Sequence, residues 1–134
     1  VNLLVWQRIE LASGRISDLK IECDALTRRD WETAALLVRR LAPVYGCVIG
    51  VPHGGDALAA ALEPACTGNP ADPVLIVDDV WTTGDSLRQF QQTVAALIHP
   101  TPCGPLVGVV LFARGPMDAG IHALFTLNEA LWPL

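Results

Sequence analysis

Residues 74–86, Val-Leu-Ile-Val-Asp-Asp-Val-Trp-Thr-Thr-Gly-Asp-Ser, constrain this chain more than any other stretch. Val74 to Val77 are apolar and mostly β-branched, which predicts a buried strand. Asp78 and Asp79 follow at once, and Thr82, Thr83, Gly84, Asp85 and Ser86 then make a short, hydroxyl-rich turn. Leu87, Phe90, Val94, Leu97 and Ile98 recur at helical spacing, so an amphipathic helix is predicted directly after the turn. The first amides of that helix lack partners within it and can receive an anion. The hydroxyls add donors, and Gly84 lets a ligand approach the backbone closely. The two carboxylates, at the end of the strand, can accept hydrogen bonds from sugar hydroxyls or help hold a hydrated cation. Desolvating two unpaired carboxylates is costly, so they need water or a ligand.

Other readings of this string are testable in the sequence. Walker B strands of ATPases also end in an acidic pair, but they require a loop with a phosphate-binding Lys. The only Lys here is Lys20, and no GxxxxGK[ST] pattern occurs. A phospho-acceptor receiver would carry its acidic pair near the chain start and need a later Lys. A local, purely structural role for Asp78 and Asp79 stays open. Asp85 lies inside the anion-binding turn. At ~5 Å from a phosphate charge its carboxylate would cost about 3 kcal/mol at an effective dielectric of ~20. Its side chain is therefore expected to point away as an N-cap or first-turn carboxylate, leaving its backbone to serve the anion.

The pattern recurs along the chain. Cys47 to Val51 reads as a second buried strand, followed by Pro52, His53, Gly54 and Gly55 and a helix from Asp56 to Leu62. Leu106 to Phe112 reads as a third strand, followed by Ala113, Arg114, Gly115 and Pro116. In open parallel sheets ligands bind beyond the strand C-termini. The loops 51–55, 78–86 and 113–116 are thus predicted to converge on one pocket. Thr27 and Asp30 form a capping-box pattern. They open a helix with Ala34, Leu37, Val38 and Leu41 on its inner face and Arg39 and Arg40 at its end, stopped by Pro43 and Gly46. Leu3, Leu4, Ile9 and Leu11 are read as lining a short helix, and Ile16, Leu19, Ile21 and Cys23 as an edge strand. Residues 123–134 fit a last strand and a terminal helical turn.

With 51% hydrophobic and 17% charged residues, the chain can build a core. Its net charge of −5 argues against nucleic acid or an anionic membrane as the main partner. No apolar run reaches ~20 residues, and Val1 to Glu10 does not resemble a signal peptide. The expectation is one cytoplasmic domain over residues 1–134. Cys23, Cys47, Cys66 and Cys103 match no zinc or redox spacing and are expected to be free thiols.

The string at 74–86 resembles the 5-phosphoribosyl-1-pyrophosphate (PRPP) motif of the type I phosphoribosyltransferases. Ser13, Gly14, Arg15 and Ser17 are similar to the N-terminal segment of the orotate phosphoribosyltransferases, a hood over the base, here within residues 1–30. The resemblance implies an α/β fold with a twisted, mainly parallel sheet flanked by helices. It implies ribose binding by Asp78 and Asp79, which would also hold Mg²⁺ indirectly through PRPP and water. It implies 5-phosphate binding by Thr82, Thr83, Gly84, Asp85 and Ser86. Pyrophosphate binding falls to Pro52, His53, Gly54 and Gly55, where His53 would donate to the pyrophosphate or relay a proton, or else be a plain surface residue. Base binding falls to Arg114, Arg15 and Lys20, with solvated surface charges as the alternative. No catalytic general base stands out. The implied activity is transfer of phosphoribosyl to an orotate-like nucleobase, in a homodimer as in many relatives. Trp81 is expected either to cover the pocket or to pack beneath it.

Two departures accompany the resemblance. Ala12 stands where the orotate enzymes often carry Lys. Residues 63–73 carry three prolines and no Lys, Arg or His, where active relatives place a strand and a mobile cationic loop. The second implied reading is therefore a non-catalytic module that binds PRPP or a nucleotide.

Overall fold

The computed structural model describes residues 2–10, 16–98 and 103–127. Two strands, β1 (Leu4–Glu10) and β2 (Ile16–Ile21), form an antiparallel hairpin with an irregularity between Trp6 and Ile9. The edge strand expected over Ile16 to Cys23 is present as far as Ile21; Cys23 is instead buried and opens a 3-10 turn, Cys23–Ala25. The helix expected in the first residues is not: cross-strand pairing to β2 settles residues 4–10 as a strand, a case of tertiary context overriding weak local pattern. Leu11 lies outside the described residues.

Among the described residues the main sheet has four strands, all parallel, in the order β3 (Cys47–Gly50), β4 (Val74–Trp81), β5 (Leu106–Ala113) and β6 (Ile121–Thr126). Helices α1 (Arg28–Leu41), α2 (Asp56–Leu62) and α3 (Asp85–Ile98) flank it. This is the α/β architecture read from the sequence. Val74, Leu75, Ile76 and Val77 are at most 7% exposed, as befits a strand covered on both faces. Their side chains alternate. Leu75 and Val77 join Val48, Val109, Ala34, Val38 and Leu58 on the α1–α2 side. Val74 and Ile76 join Val110, Leu87 and Val94 on the α3 side.

The capping box forms as expected: the Thr27 amide donates to Asp30 Oδ2 at 2.9 Å, and the Asp30 amide donates to Thr27 Oγ1 at 3.2 Å. The inner face of α1 is rotated from the expected one. Ala34, Ala35 and Val38 are buried, whereas Leu37 and Leu41 are 36% and 52% exposed. The small alanines let α1 approach α2, which turns the larger leucines outward.

The β4 strand is longer than its apolar run. It continues through Asp78 and Asp79 to Trp81, because Val80 and Trp81 pair with Phe112 and Ala113 of β5. From β5 the chain returns to the start of β6 in seven residues, 114–120, with no helix. So short a crossover is unusual, since a longer helical connection is the rule between parallel strands.

Candidate functional site

The site is built at the C-terminal ends of the parallel strands. Adjacent residues on a strand face opposite ways, so the two carboxylates divide. Asp78 lines a concave pocket of about 110 Å³ together with Val80, Trp81, Thr82, Thr83, Gly84, Asp85, Ser86 and Leu87. Asp79 turns toward the loop after β3, where its carboxylate oxygens sit so close to Gly54 that a Cβ there would lie 2.5 Å away. Gly55 is packed as tightly, since a Cβ would meet the Val77 carbonyl at 2.2 Å. Glycines at 54 and 55 are what allow the 51–55 loop to lie against β4.

Each carboxylate also folds back on the chain. Asp78 Oδ1 accepts the Asp79 amide at 2.8 Å, and Asp79 Oδ1 accepts the Val80 amide at 2.7 Å. Asp78 is 7% exposed. Its burial pushes its pKa up to about 7, with the Asp79 charge adding to the rise against the hydrogen bond from the Asp79 amide. Cys23, just beyond β2, is raised to about 12 by burial and then by the charges of Asp79, Asp24 and Asp78, so the hairpin end lies close to the acidic pair.

The turn at 82–86 is shaped from below. Gly84 adopts φ +88°, a region that favours glycine, and a Cβ there would strike the Trp81 ring at 2.2 Å. Trp81 is 1% exposed. It packs beneath the turn and does not cover the pocket. Its indole N–H donates to the Pro116 carbonyl at 2.9 Å. The Arg114 amide donates to the Trp81 carbonyl at 2.8 Å, and Gly115 lies against the Thr82 carbonyl. Loops 51–55 and 113–116 thus both abut the end of β4, while the pocket wall itself belongs to residues 78–87.

The other predicted residues fall as follows. Thr83 and Ser86 are exposed, Thr82 half-buried. Asp85 opens α3 as a first-turn carboxylate and is bound by Arg88 Nη1 at 3.3 Å. Pro52 and His53 are exposed, joined by a cis peptide, and His53 Nδ1 lies 3.5 Å from Asp56 Oδ2. Arg114 is buried, 6% exposed, at the end of β5. Lys20 pairs with Glu22. Arg15 lies outside the described residues.

Sequence reasoning missed one member of the site's support. Asp118, in the crossover, accepts two bonds from Arg88, Nε to Oδ2 at 2.5 Å and Nη2 to Oδ1 at 3.0 Å. The Arg88 guanidinium also lies 5.2 Å from the centre of the Trp81 ring. The Asp85–Arg88 spacing of three was visible as a helical pair; Asp118, thirty residues on, carries no local signal.

The linker 63–73 lies at the opposite end of the sheet. A 3-10 turn, Glu63–Ala65, is followed by a tightly bonded loop: the Thr67 hydroxyl donates to Asp72 Oδ2 at 2.6 Å, and the Ala71 amide donates to Asn69 Oδ1 at 3.0 Å. Gly68 donates to Gly46, Gly46 to Pro73 and Gly104 to Pro70, so the loop ties together the segments that enter β3, β4 and β5.

No protein-family profile matches the chain, and no curated protein matches it by sequence. Solved structures do match by shape. Orotate phosphoribosyltransferase from Aeropyrum pernix is 24% identical, over 92% of this chain and 88% of that one, with a TM-score of 0.71. Orotate phosphoribosyltransferase from Mycobacterium tuberculosis H37Rv, in complex with inorganic phosphate, is 22% identical over 92% and 88%, with a TM-score of 0.64. A purine phosphoribosyltransferase from Pyrococcus horikoshii is 20% identical over 76% and 85%, with a TM-score of 0.55. The chain has the type I phosphoribosyltransferase fold.

Proposed function

We propose that this protein binds PRPP with Mg²⁺ and transfers its phosphoribosyl group to a nucleobase, an orotate-like pyrimidine being the leading candidate. The observation that carries the reading is the division of the acidic pair. Asp78 lines the pocket formed by the 82–86 turn and the start of α3, while Asp79 lies on Gly54 of the neighbouring loop. A ribose placed over Asp78 and Asp79 would have a phosphoryl pocket on one side and a glycine loop for pyrophosphate on the other. The amides at the start of α3 and the hydroxyls of Thr82, Thr83 and Ser86 supply donors for the 5-phosphate. Inorganic phosphate bound to the M. tuberculosis enzyme accords with a phosphoryl site on this fold.

The donor set fits Mg²⁺ bound by few protein groups. Asp78 and Asp79 offer two carboxylates, and among the described residues no group of three His, Cys, Asp or Glu side chains could hold a metal. Mg²⁺ keeps much of its water and is commonly held by one or two carboxylates plus phosphate oxygens. When bound, it would supply positive charge to the pyrophosphate. The protein's part is to hold the ribose hydroxyls on Asp78 and Asp79. Their negative charge would stabilise the oxocarbenium character that develops as the base nitrogen attacks the anomeric carbon and pyrophosphate departs.

One observation favours a second reading, a non-catalytic PRPP- or nucleotide-binding module. The 63–73 linker holds no Lys, Arg or His and is bonded to the far end of the sheet, so it brings no cation to a leaving pyrophosphate. Calorimetric titration of PRPP with Mg²⁺ into wild type and Asp78→Asn/Asp79→Asn tests the common ground. Saturable binding abolished in the double variant is expected; no wild-type binding at millimolar PRPP sinks both readings. Pyrophosphate release with a panel of bases then separates enzyme from module.

A further inference from the structure

We infer that Arg88 is a positioning residue of this site: it draws the Asp85 carboxylate off the phosphoryl-binding turn and fastens that turn, through Trp81 and Asp118, to the 114–120 crossover. The inference rests on the reading of 82–86 as a phosphoryl site and deepens it.

The difficulty it answers lies in the sequence. An acidic residue at the head of α3 favours the helix dipole, yet the same position borders the pocket where an anion would sit. Left alone, Asp85 would repel a phosphoryl group and compete for the same amides. Arg88 stands one turn on, and its Nη1 holds Asp85 Oδ1 at 3.3 Å. The rest of its guanidinium is committed elsewhere, with two bonds to Asp118 and a place beside the Trp81 ring. The bidentate pair fixes the plane of the guanidinium, and so fixes the direction in which Asp85 is pulled.

The same contacts restrain the backbone. Trp81 packs under Gly84 and donates to Pro116, while Asp118 sits two residues further along the same short crossover. Arg88 thus joins the start of α3 to a segment already bonded to the end of β4. Asp85 and Asp118 together carry two negative charges and Arg88 offsets one. Removing it would leave both uncompensated next to the turn.

The test is binding of ribose 5-phosphate without metal, which isolates the phosphoryl site from pyrophosphate and Mg²⁺. Wild type, Arg88→Ala, Arg88→Lys, Asp85→Asn and Arg88→Ala/Asp85→Asn are titrated at two ionic strengths, with circular dichroism and melting to verify folding. Arg88→Ala should bind about tenfold more weakly. Adding Asp85→Asn to it should recover most of the loss, Arg88→Lys should recover part, and high salt should shrink the difference. Asp85→Asn alone should bind at least as tightly as wild type. Arg88→Ala binding like wild type overturns the inference, as does a loss that Asp85→Asn fails to relieve. Should Arg88→Ala not fold, weaker binding by Asp85→Asn alone overturns it. Absence of wild-type binding removes the phosphoryl reading itself and the inference with it, a result distinct from wild-type binding that is indifferent to Arg88.

Discussion

At the C-terminal rim of the parallel sheet, carboxylates, glycines and a helix N-terminus crowd around a small pocket. At the N-terminal rim, the 63–73 linker consumes its own polar groups. Thr67 bonds Asp72, Asn69 accepts from Ala71, and backbone amides join the entries to β3, β4 and β5. One rim keeps a buried carboxylate, Asp78, whose ionisation is opposed by burial; the other satisfies its polar side chains internally. A functional site is where a chain tolerates costs that it removes elsewhere. The comparison also locates what is missing. The connector that could carry cations to the pocket is fastened at the wrong end of the sheet to do so.

Asp78→Asn/Asp79→Asn should weaken PRPP–Mg²⁺ binding by at least ~100-fold, while Thr67→Ala at the opposite rim leaves the dissociation constant unchanged in the same calorimeter. Equal effects from the two rims would remove the distinction.

The second effect is on stability and pH in the ligand-free protein. Asp78 titrates near 3.8 when unfolded and near 7 when folded. The folded state retains the proton longer, so the protein should lose stability as pH rises from about 4 to about 7 and stay lower above that. At ~1.4 kcal/mol per unit the loss is on the order of 4 kcal/mol. Asp78→Asn cannot ionise. It should therefore be the more stable protein above pH 7 by urea denaturation, with the gap closing toward pH 4. A gap independent of pH would refute the raised pKa.

A third contrast uses the thiols. Cys23, beside the acidic pair, is 7% exposed with a pKa pushed up to about 12. Cys47 and Cys103, at the opposite rim, are exposed and free. A maleimide should label Cys47 and Cys103 in the native protein and Cys23 at least ~100-fold more slowly, until denaturant is added. Labelling of Cys23 at a comparable rate would show that the hairpin opens away from the acidic pair.

Much of the C-terminal rim was legible because its signals are local. The apolar run 74–77, the acid pair, Gly84 and the periodicity of 87–98 lie within one continuous stretch. Asp85 was legible as a first-turn carboxylate of α3, and Arg88 is what binds it. What escaped depended on contacts between distant residues. The extension of β4 to Trp81 comes from pairing with β5, β1 is a strand because β2 lies beside it, and Asp118 meets Arg88 only because a seven-residue crossover doubles back over α3. The outward turn of Leu37 and Leu41 followed from how closely α1 approaches α2, which a single helix pattern does not encode.

The smallest effect sharpens the account of the linker. Thr67 bonds Asp72 at 2.6 Å and also accepts the Asn69 amide at 3.2 Å, so one hydroxyl organises both ends of the loop. Both partners are near solvent, and each bond contributes ~0.5–1.5 kcal/mol at most. Thr67→Ala should cost about 1 kcal/mol in urea denaturation. The linker is short, with prolines at 64, 70 and 73 already limiting its unfolded freedom. If the loop is only a connector, replacing residues 67–72 with a Gly/Ser stretch of equal length should cost more stability than Thr67→Ala, through lost bonds and added chain entropy, and leave ribose 5-phosphate binding intact. A fall in that binding would mean that the far rim reaches the pocket through the strands it ties together, and the two ends would have to be treated as one coupled unit.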